Sequence, residues 1–256
     1  VNNEGAPTLG ADGRSLVFVA CPDATGIDYG ENRMGHGSCD LFYTKKLGSR
    51  WSDPINLPGN VNSFHWESQP SLSADGRTVY FVRRSGRAMN NNSDIWMSTM
   101  DDKGIWGKPV RLPDNINTPF AETSVLIHPD GKTLYFASNG HKGMGGSDIY
   151  ISRKDKDGNW GNPENLGYPI NTKGNENSLL VNATGDVAFF ASDRPEGKGG
   201  LDIWFAKYIG GDEFGEPKNI SSINTPFSEI SPSVDNGIEE TKLYFSSDGY
   251  VGFGQY

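Results

Sequence analysis

Five glutamates, Glu4, Glu67, Glu122, Glu176 and Glu229, stand where a repeated unit begins. Carboxylates are the groups from which cation binding and acid–base chemistry are built. If each opens the innermost strand of a sheet arranged around one axis, the five crowd the mouth of a central channel. There they raise one another's pKa and attract a cation such as Ca²⁺. The structural alternative uses the same oxygens: hydrogen bonds to the turns Ile116-Asn-Thr118, Ile170-Asn-Thr172 and Ile223-Asn-Thr225 that precede three of them. A glycan hydrolase would need two carboxyls roughly 5 to 9.5 Å apart, and among so many repeated acids no pair is singled out.

A second acidic series is Asp40, Asp94, Asp148 and Asp202, spaced 54 residues apart, each opening an apolar–aromatic segment such as Asp148-Ile-Tyr-Ile151. The economical role is a carboxylate accepting backbone N–H bonds at a turn. Its rival is a Ca²⁺ ring, which needs six to eight converging oxygens, whereas side chains repeated around an axis diverge.

Between the apolar strand and the Asp series lie loops that vary from unit to unit: 22–38, 83–93, 139–147 and 193–201. They gather cations of an otherwise acidic chain: Arg33, His36, Arg83, Arg84, Arg87, His141, Lys142, Arg194 and Lys198. Variation on a rigid frame is where binding normally resides. These residues are read either as solvated loop tips or as a surface for an acidic peptide or glycan. Cys21 and Cys39, the only cysteines, fall at the two lips of the first such loop. A disulfide there would clamp the loop and imply an oxidising compartment; two free thiols are the alternative.

Catalytic signatures are absent. His36, His65, His128 and His141 include no HExxH pair, and the chain has no Cys/His metal spacing, Gly-x-Ser-x-Gly elbow or phosphate loop. The six tryptophans mostly occupy repeat positions, which suits packing better than sugar stacking; Trp66, just before a repeat glutamate, is the exception.

The elements that must position these residues follow from the repeat. After each glutamate-led strand comes a turn such as Ala74-Asp-Gly-Arg77, hairpin chemistry in which Gly takes the positive φ. Then follow an apolar strand (Val79-Tyr-Phe81, Leu134-Tyr-Phe136), the variable loop, the Asp-led strand, and a fourth strand marked by an aromatic and a proline (Trp51 and Pro54, Trp106 and Pro109, Trp160 and Pro163, Phe214 and Pro217). Four short antiparallel strands make one propeller blade. Units starting near 4, 67, 122, 176 and 229 predict an all-β, five-bladed β-propeller forming a single domain over residues 1–256, its last blade incomplete.

The unit Glu-x-x-Pro-Ser-Leu-Ser-x-Asp-Gly at Glu67, with Gly143-x-Gly-Gly-Ser-Asp-Ile-Tyr150 and Trp160-Gly-Asn-Pro-Glu-Asn-Leu166, resembles the TolB-type propeller repeat. It is similar in particular to the version in Bacteroidetes outer-membrane proteins of the OmpA family, such as the PorE-type lipoproteins of the type IX secretion machinery. That resemblance implies part of a larger, periplasmic, outer-membrane-associated protein with an envelope-protein or peptidoglycan-associated partner. The unit is longer than the usual TolB-type repeat, and the first one carries an insertion before Asp40, which weakens any transfer of binding residues.

A net charge of −9 and a pI near 4.9 leave nucleic acid little to hold. No apolar run approaches a membrane span, and no basic-plus-apolar leader opens at Val1. The expectation is a non-catalytic binding or scaffold propeller without a cofactor. The alternative is a glycan hydrolase with carboxylates at the channel mouth, and a structural spacer is the third.

Overall fold

A computed structural model of the chain describes residues 3–23, 26, 29–30, 33–58, 61–84, 92–182, 184–236 and 241–250. Its named elements are all β-strands. The first blade comprises β1 (Asn3–Leu9), β2 (Ser15–Cys21), β3 (Asp40–Leu47), β4 (Arg50–Trp51) and β5 (Ile55–Asn56). The second has β6 (Trp66–Leu72), β7 (Thr78–Arg84), β8 (Asp94–Thr99) and β9 (Val110–Arg111). The third has β10 (Glu122–Ile127), β11 (Thr133–Ser138), β12 (Asp148–Arg153) and β13 (Glu164–Asn165). The fourth has β14 (Glu176–Val181), β15 (Val187–Ser192), β16 (Asp202–Gly210), β17 (Glu213–Phe214) and β18 (Lys218–Asn219). The fifth is the pair β19 (Glu229–Asn236) and β20 (Thr241–Ser247). Four of the five blades thus have the expected strand set, and the fifth contributes two strands among the described residues.

Local chemistry fixes each meander. Asp12, Asp75 and Asp130 accept the amide two residues on, at 2.8, 3.0 and 2.7 Å. The glycine after each has φ of 60°, 69° and 67°, which lets the chain reverse between first and second strands. The second and third strands then pair in one register throughout: Ala20↔Asp40, Arg83↔Asp94, Ser138↔Asp148 and Ser192↔Asp202. Glutamates and aspartates therefore sit at one end of every blade, with the variable loops.

The fourth strand differs from expectation. Its ladder lies after the proline, at Ile55–Asn56, Val110–Arg111, Glu164–Asn165 and Lys218–Asn219, and is two residues long. The aromatic makes a separate pairing before it, as in the isolated bridges Met100↔Trp106 and Lys154↔Trp160. Proline supplies no N–H, so the ladder cannot run through it. A buried asparagine compensates: the amide groups of Asn62, Asn117, Asn171 and Asn224 clasp both backbone groups of Leu41, Ile95, Ile149 and Ile203 at 2.7–3.0 Å.

The core lies in the seams between blades. Leu41, Leu57 and Val61 pack against Val79 and Phe81 of the next blade; Ile95, Leu112 and Ile116 pack against Leu134 and Phe136. Ile149 and Ile170 meet Ala188 and Phe190 in the same way. The innermost strands touch in the order β1, β6, β10, β14, β19 and back to β1, which closes the ring.

Candidate functional site

The repeat glutamates do not behave as a channel-mouth cluster. Glu67, Glu122, Glu176 and Glu229 are fully buried. Each takes the amide of the residue four positions earlier on Oε2 and its hydroxyl on Oε1: Ser63, Thr118, Thr172 and Thr225, at 2.6–3.1 Å. A donor at the end of the same blade's second strand completes the set: Arg83, Ser138, Ser192 and Ser247. These donors turn the carboxyls into the seams. Burial pushes Glu122 up to about 7, which marks desolvation rather than an open site. Only Glu4 of the five faces solvent, paired with Arg33.

The channel itself has a mixed lining, with Gln69, Ser71, Ser124, Ser178 and Ser231 beside apolar residues such as Val125 and Leu179, around about 50 Å³ of space. Gln69 reaches across it to Ser231 at 3.0 Å. The glutamates are absent from its lining.

The Asp series is also built into the frame. Asp148 accepts the amides of Met144 and Gly145 at 2.7 and 3.2 Å, Asp40 that of His36 and Asp202 that of Lys198. Asp94 instead pairs with Arg111 at 2.9 Å. Among the described residues no group of three or more His, Cys, Asp or Glu is placed to hold a metal ion.

The eight described loop cations divide by depth, so they are neither all solvated loop tips nor all one surface, the two readings the sequence offered. Arg83 and Arg194 are buried; their guanidinium carbons lie 5.3 and 5.1 Å from the rings of Phe81 and Phe190, and each donates at 2.6 Å to a carbonyl of the preceding blade's last turn, Val61 and Ile170. His141 fills the same slot in the third blade, 5.6 Å from Phe136, with Nε2 2.9 Å from the Ile116 carbonyl. In the first blade Arg33 stacks over Phe18 and Phe42. Arg84, Lys142, Lys198 and His36 remain exposed, although Arg84 covers Trp66 at 4.9 Å and the Lys198 ammonium donates to the Ser221 carbonyl. Arg87 lies outside the described residues. Of the tryptophans, Trp66 is half-buried in the seam, and Trp51 is the exposed one.

Cys21 and Cys39 form a disulfide, with Cα atoms 4.0 Å apart. It joins the end of β2 to the residue before β3.

What the sequence reading missed is apolar. Phe64, Phe120 and Phe227 are 78, 60 and 57% exposed, each in the turn leading to the next glutamate. Met34 and Met144, from the variable loops, are exposed at the same end. The loops rest on one another: a Cβ on Gly37 would strike the Ser63 carbonyl at 2.5 Å, and one on Gly199 the Pro226 carbonyl at 2.5 Å. Three repeated phenylalanines and the exposed cations Arg84, Lys142 and Lys198 thus share one face. The available signal was an aromatic after Pro119 and Pro226, in a turn with no strand to bury it.

No protein-family model and no curated protein matches the chain. Solved structures do. A TolB-like protein of Agrobacterium tumefaciens is similar over 90% of the chain at 16% identity and a TM-score of 0.53, the chain spanning 65% of that protein. A glycoside hydrolase is similar over 98% of the chain and 88% of its own length, at 9% identity and a TM-score of 0.58. A thermostable family-43 glycoside hydrolase covers 98% of the chain and 85% of itself, at 12% identity and a TM-score of 0.55. What the chain shares with these proteins is the propeller fold, a frame that carries both binding and hydrolytic functions.

Proposed function

We propose that the chain is a non-catalytic binding module that holds a protein or glycan partner on its loop face. The observation that carries this reading is the exposed set Phe64, Phe120 and Phe227 with Arg84, Lys142 and Lys198 on one face, where described loop residues Gly37 and Gly199 pack closely on the turns that carry Phe64 and Phe227. Exposed aromatic patches rimmed by polar groups are costly unless covered by a partner. Aromatics and arginine supply most of the energy at such contacts. A hydrolase would need two solvent-facing carboxyls, whereas four of the five repeat glutamates are buried and saturated with donors.

The disulfide supports an oxidising compartment. With the motif resemblance to outer-membrane proteins of the OmpA family, it supports a periplasmic, outer-membrane-associated setting in a larger protein, linked to type IX secretion. Among the described residues no helix is long and apolar enough to cross a membrane. The acidic balance speaks against nucleic acid. The test is capture of a partner from envelope extract by the wild-type chain and by Phe120→Ser/Lys142→Glu at equal folded yield. Loss in the variant is the expected result; equal capture overturns the loop face, and glycan cleavage by the wild-type chain overturns the non-catalytic reading.

A further inference from the structure

Each complete blade turns from its third strand through a hairpin at the end opposite the variable loops, and one of these hairpins differs in chemistry from the others. The hairpins of the second, third and fourth blades carry two acids each: Asp101 and Asp102, Asp155 and Asp157, Asp212 and Glu213. The hairpin of the first blade, residues 45–51, carries none and reads Lys-Lys-Leu-Gly-Ser-Arg-Trp. All of its residues are exposed, Leu47 at 66%. In a chain of net charge −9, this tip sets Lys45, Lys46 and Arg50 beside two large apolar side chains.

The tip projects beyond the sheet. β2 pairs with β3 from Ala20↔Asp40 to Ser15↔Lys45, and the amide of Lys46 donates to the Arg14 carbonyl at 2.7 Å. Past that point β3 pairs with β4 in the register Lys46↔Trp51 and Leu47↔Arg50. Cross-strand partners share a face of the ladder, so each face of the tip presents one cation with one apolar side chain. Trp51 also departs from the repeat: the aromatics at its position in the other blades, Trp106, Trp160 and Phe214, are buried, whereas Trp51 is 42% exposed. Arg14, exposed on the neighbouring turn, adds a cation. The acids on the flanking segments are Asp53 and Asp12, and the Asp12 carboxylate is already held by the amides of Arg14 and Ser15.

We infer that this hairpin is a membrane-docking element that rests on an anionic lipid surface. Leu47 and Trp51 enter the boundary between headgroups and acyl chains, while Arg14, Lys45, Lys46 and Arg50 meet the lipid phosphates. Charge complementarity commits the tip to this occupant, because a cluster of cations without an intervening acid is drawn to the negative surface potential of such a membrane. Its apolar pair suits the same place: tryptophan settles at headgroup level, and shallow apolar insertion beside Lys and Arg is how peripheral segments hold a bilayer. Ile105 and Ile209, 56 and 65% exposed on the hairpins of the second and fourth blades, give the same end of the molecule further apolar contacts. Docked this way, the protein turns its loop face away from the bilayer, and the inference stands whether or not that face holds a partner.

The test is co-sedimentation of the chain with vesicles of phosphatidylglycerol mixed with phosphatidylcholine, against vesicles of phosphatidylcholine alone. The chain binds the anionic vesicles and not the neutral ones. Lys46→Glu/Arg50→Glu weakens that binding at least ~10-fold, and Leu47→Ser/Trp51→Ser weakens it at least ~10-fold with every cation kept. Brominated acyl chains in the same vesicles quench tryptophan emission of the wild-type chain, and Trp51→Phe, a conservative change at an exposed site, removes the quenching; this measurement decides the matter should either double variant misfold. Absence of binding to anionic vesicles, equal binding by both double variants, or quenching unchanged in Trp51→Phe overturns the proposal. So does full binding by Leu47→Ser/Trp51→Ser, since the tip would then be an electrostatic site for any polyanion.

Discussion

Arg194 donates from Nη2 to the carbonyl of Ile170, 2.6 Å away, fastening the fourth blade to the last turn of the third. Arg83 does the same at Val61 and also pairs with the buried Glu67 at 2.7 Å. These cations are structural, and substitution should read out as stability. Arg83→Met leaves Glu67 buried without its ion partner and should cost about 3–5 kcal/mol in urea unfolding. Arg84→Met, one residue along and solvent-facing, should stay within about 0.5 kcal/mol.

Glu122 sets a pH dependence with a definite sign. Its folded pKa of about 7 exceeds the ordinary 4.5 because burial penalises the charged form. The folded state therefore holds the proton more tightly. This residue's contribution is most favourable below pH 4.5, falls as pH rises toward 7, and is constant above it. The span is about 3 kcal/mol. Glu122→Gln should flatten that slope while lowering stability by about 1–3 kcal/mol, since an amide nitrogen in place of Oε2 cannot accept the Thr118 N–H, although the amide oxygen can still accept from the Thr118 and Ser138 hydroxyls. Carboxyl titration by NMR near pH 4.5 would contradict it.

The disulfide joins residues 18 apart, so Cys21→Ser/Cys39→Ser should lower stability by about 3 kcal/mol. Reductant should reproduce that loss in the wild-type chain and leave the double variant unchanged. An equal response of both proteins to reductant would contradict a stabilising bridge.

The repeat made the fold legible, because Asp40, Asp94, Asp148 and Asp202 begin β3, β8, β12 and β16, and Glu122, Glu176 and Glu229 begin β10, β14 and β19. Depth within the loops was harder to read. Arg83 and Arg84 are adjacent in sequence, yet strand alternation puts Arg83 on the buried face with Phe81 and turns Arg84 out. His141 and Arg194 reach the same slot from different loop positions, so no fixed spacing announces it. The glutamates carried two readings that differ only in side-chain direction, which the donors on Ser63, Thr118, Thr172 and Thr225 decide.

The loop-face phenylalanines should be dispensable for folding. Phe64→Ser and Phe120→Ser remove exposed rings, so each should shift stability by no more than about 0.5 kcal/mol. A loss of several kcal/mol by chemical denaturation would mean that these rings pack within the fold rather than wait for a partner.

Binding through the loop face is tested most directly by a photo-crosslinking residue placed at Phe120, with Ile55 on the outer strand β5 as the control, both 60% exposed. In envelope extract the account predicts a discrete adduct from position 120, lost on adding excess unlabelled chain, and none from position 55. An adduct from position 55 with none from position 120 would contradict it.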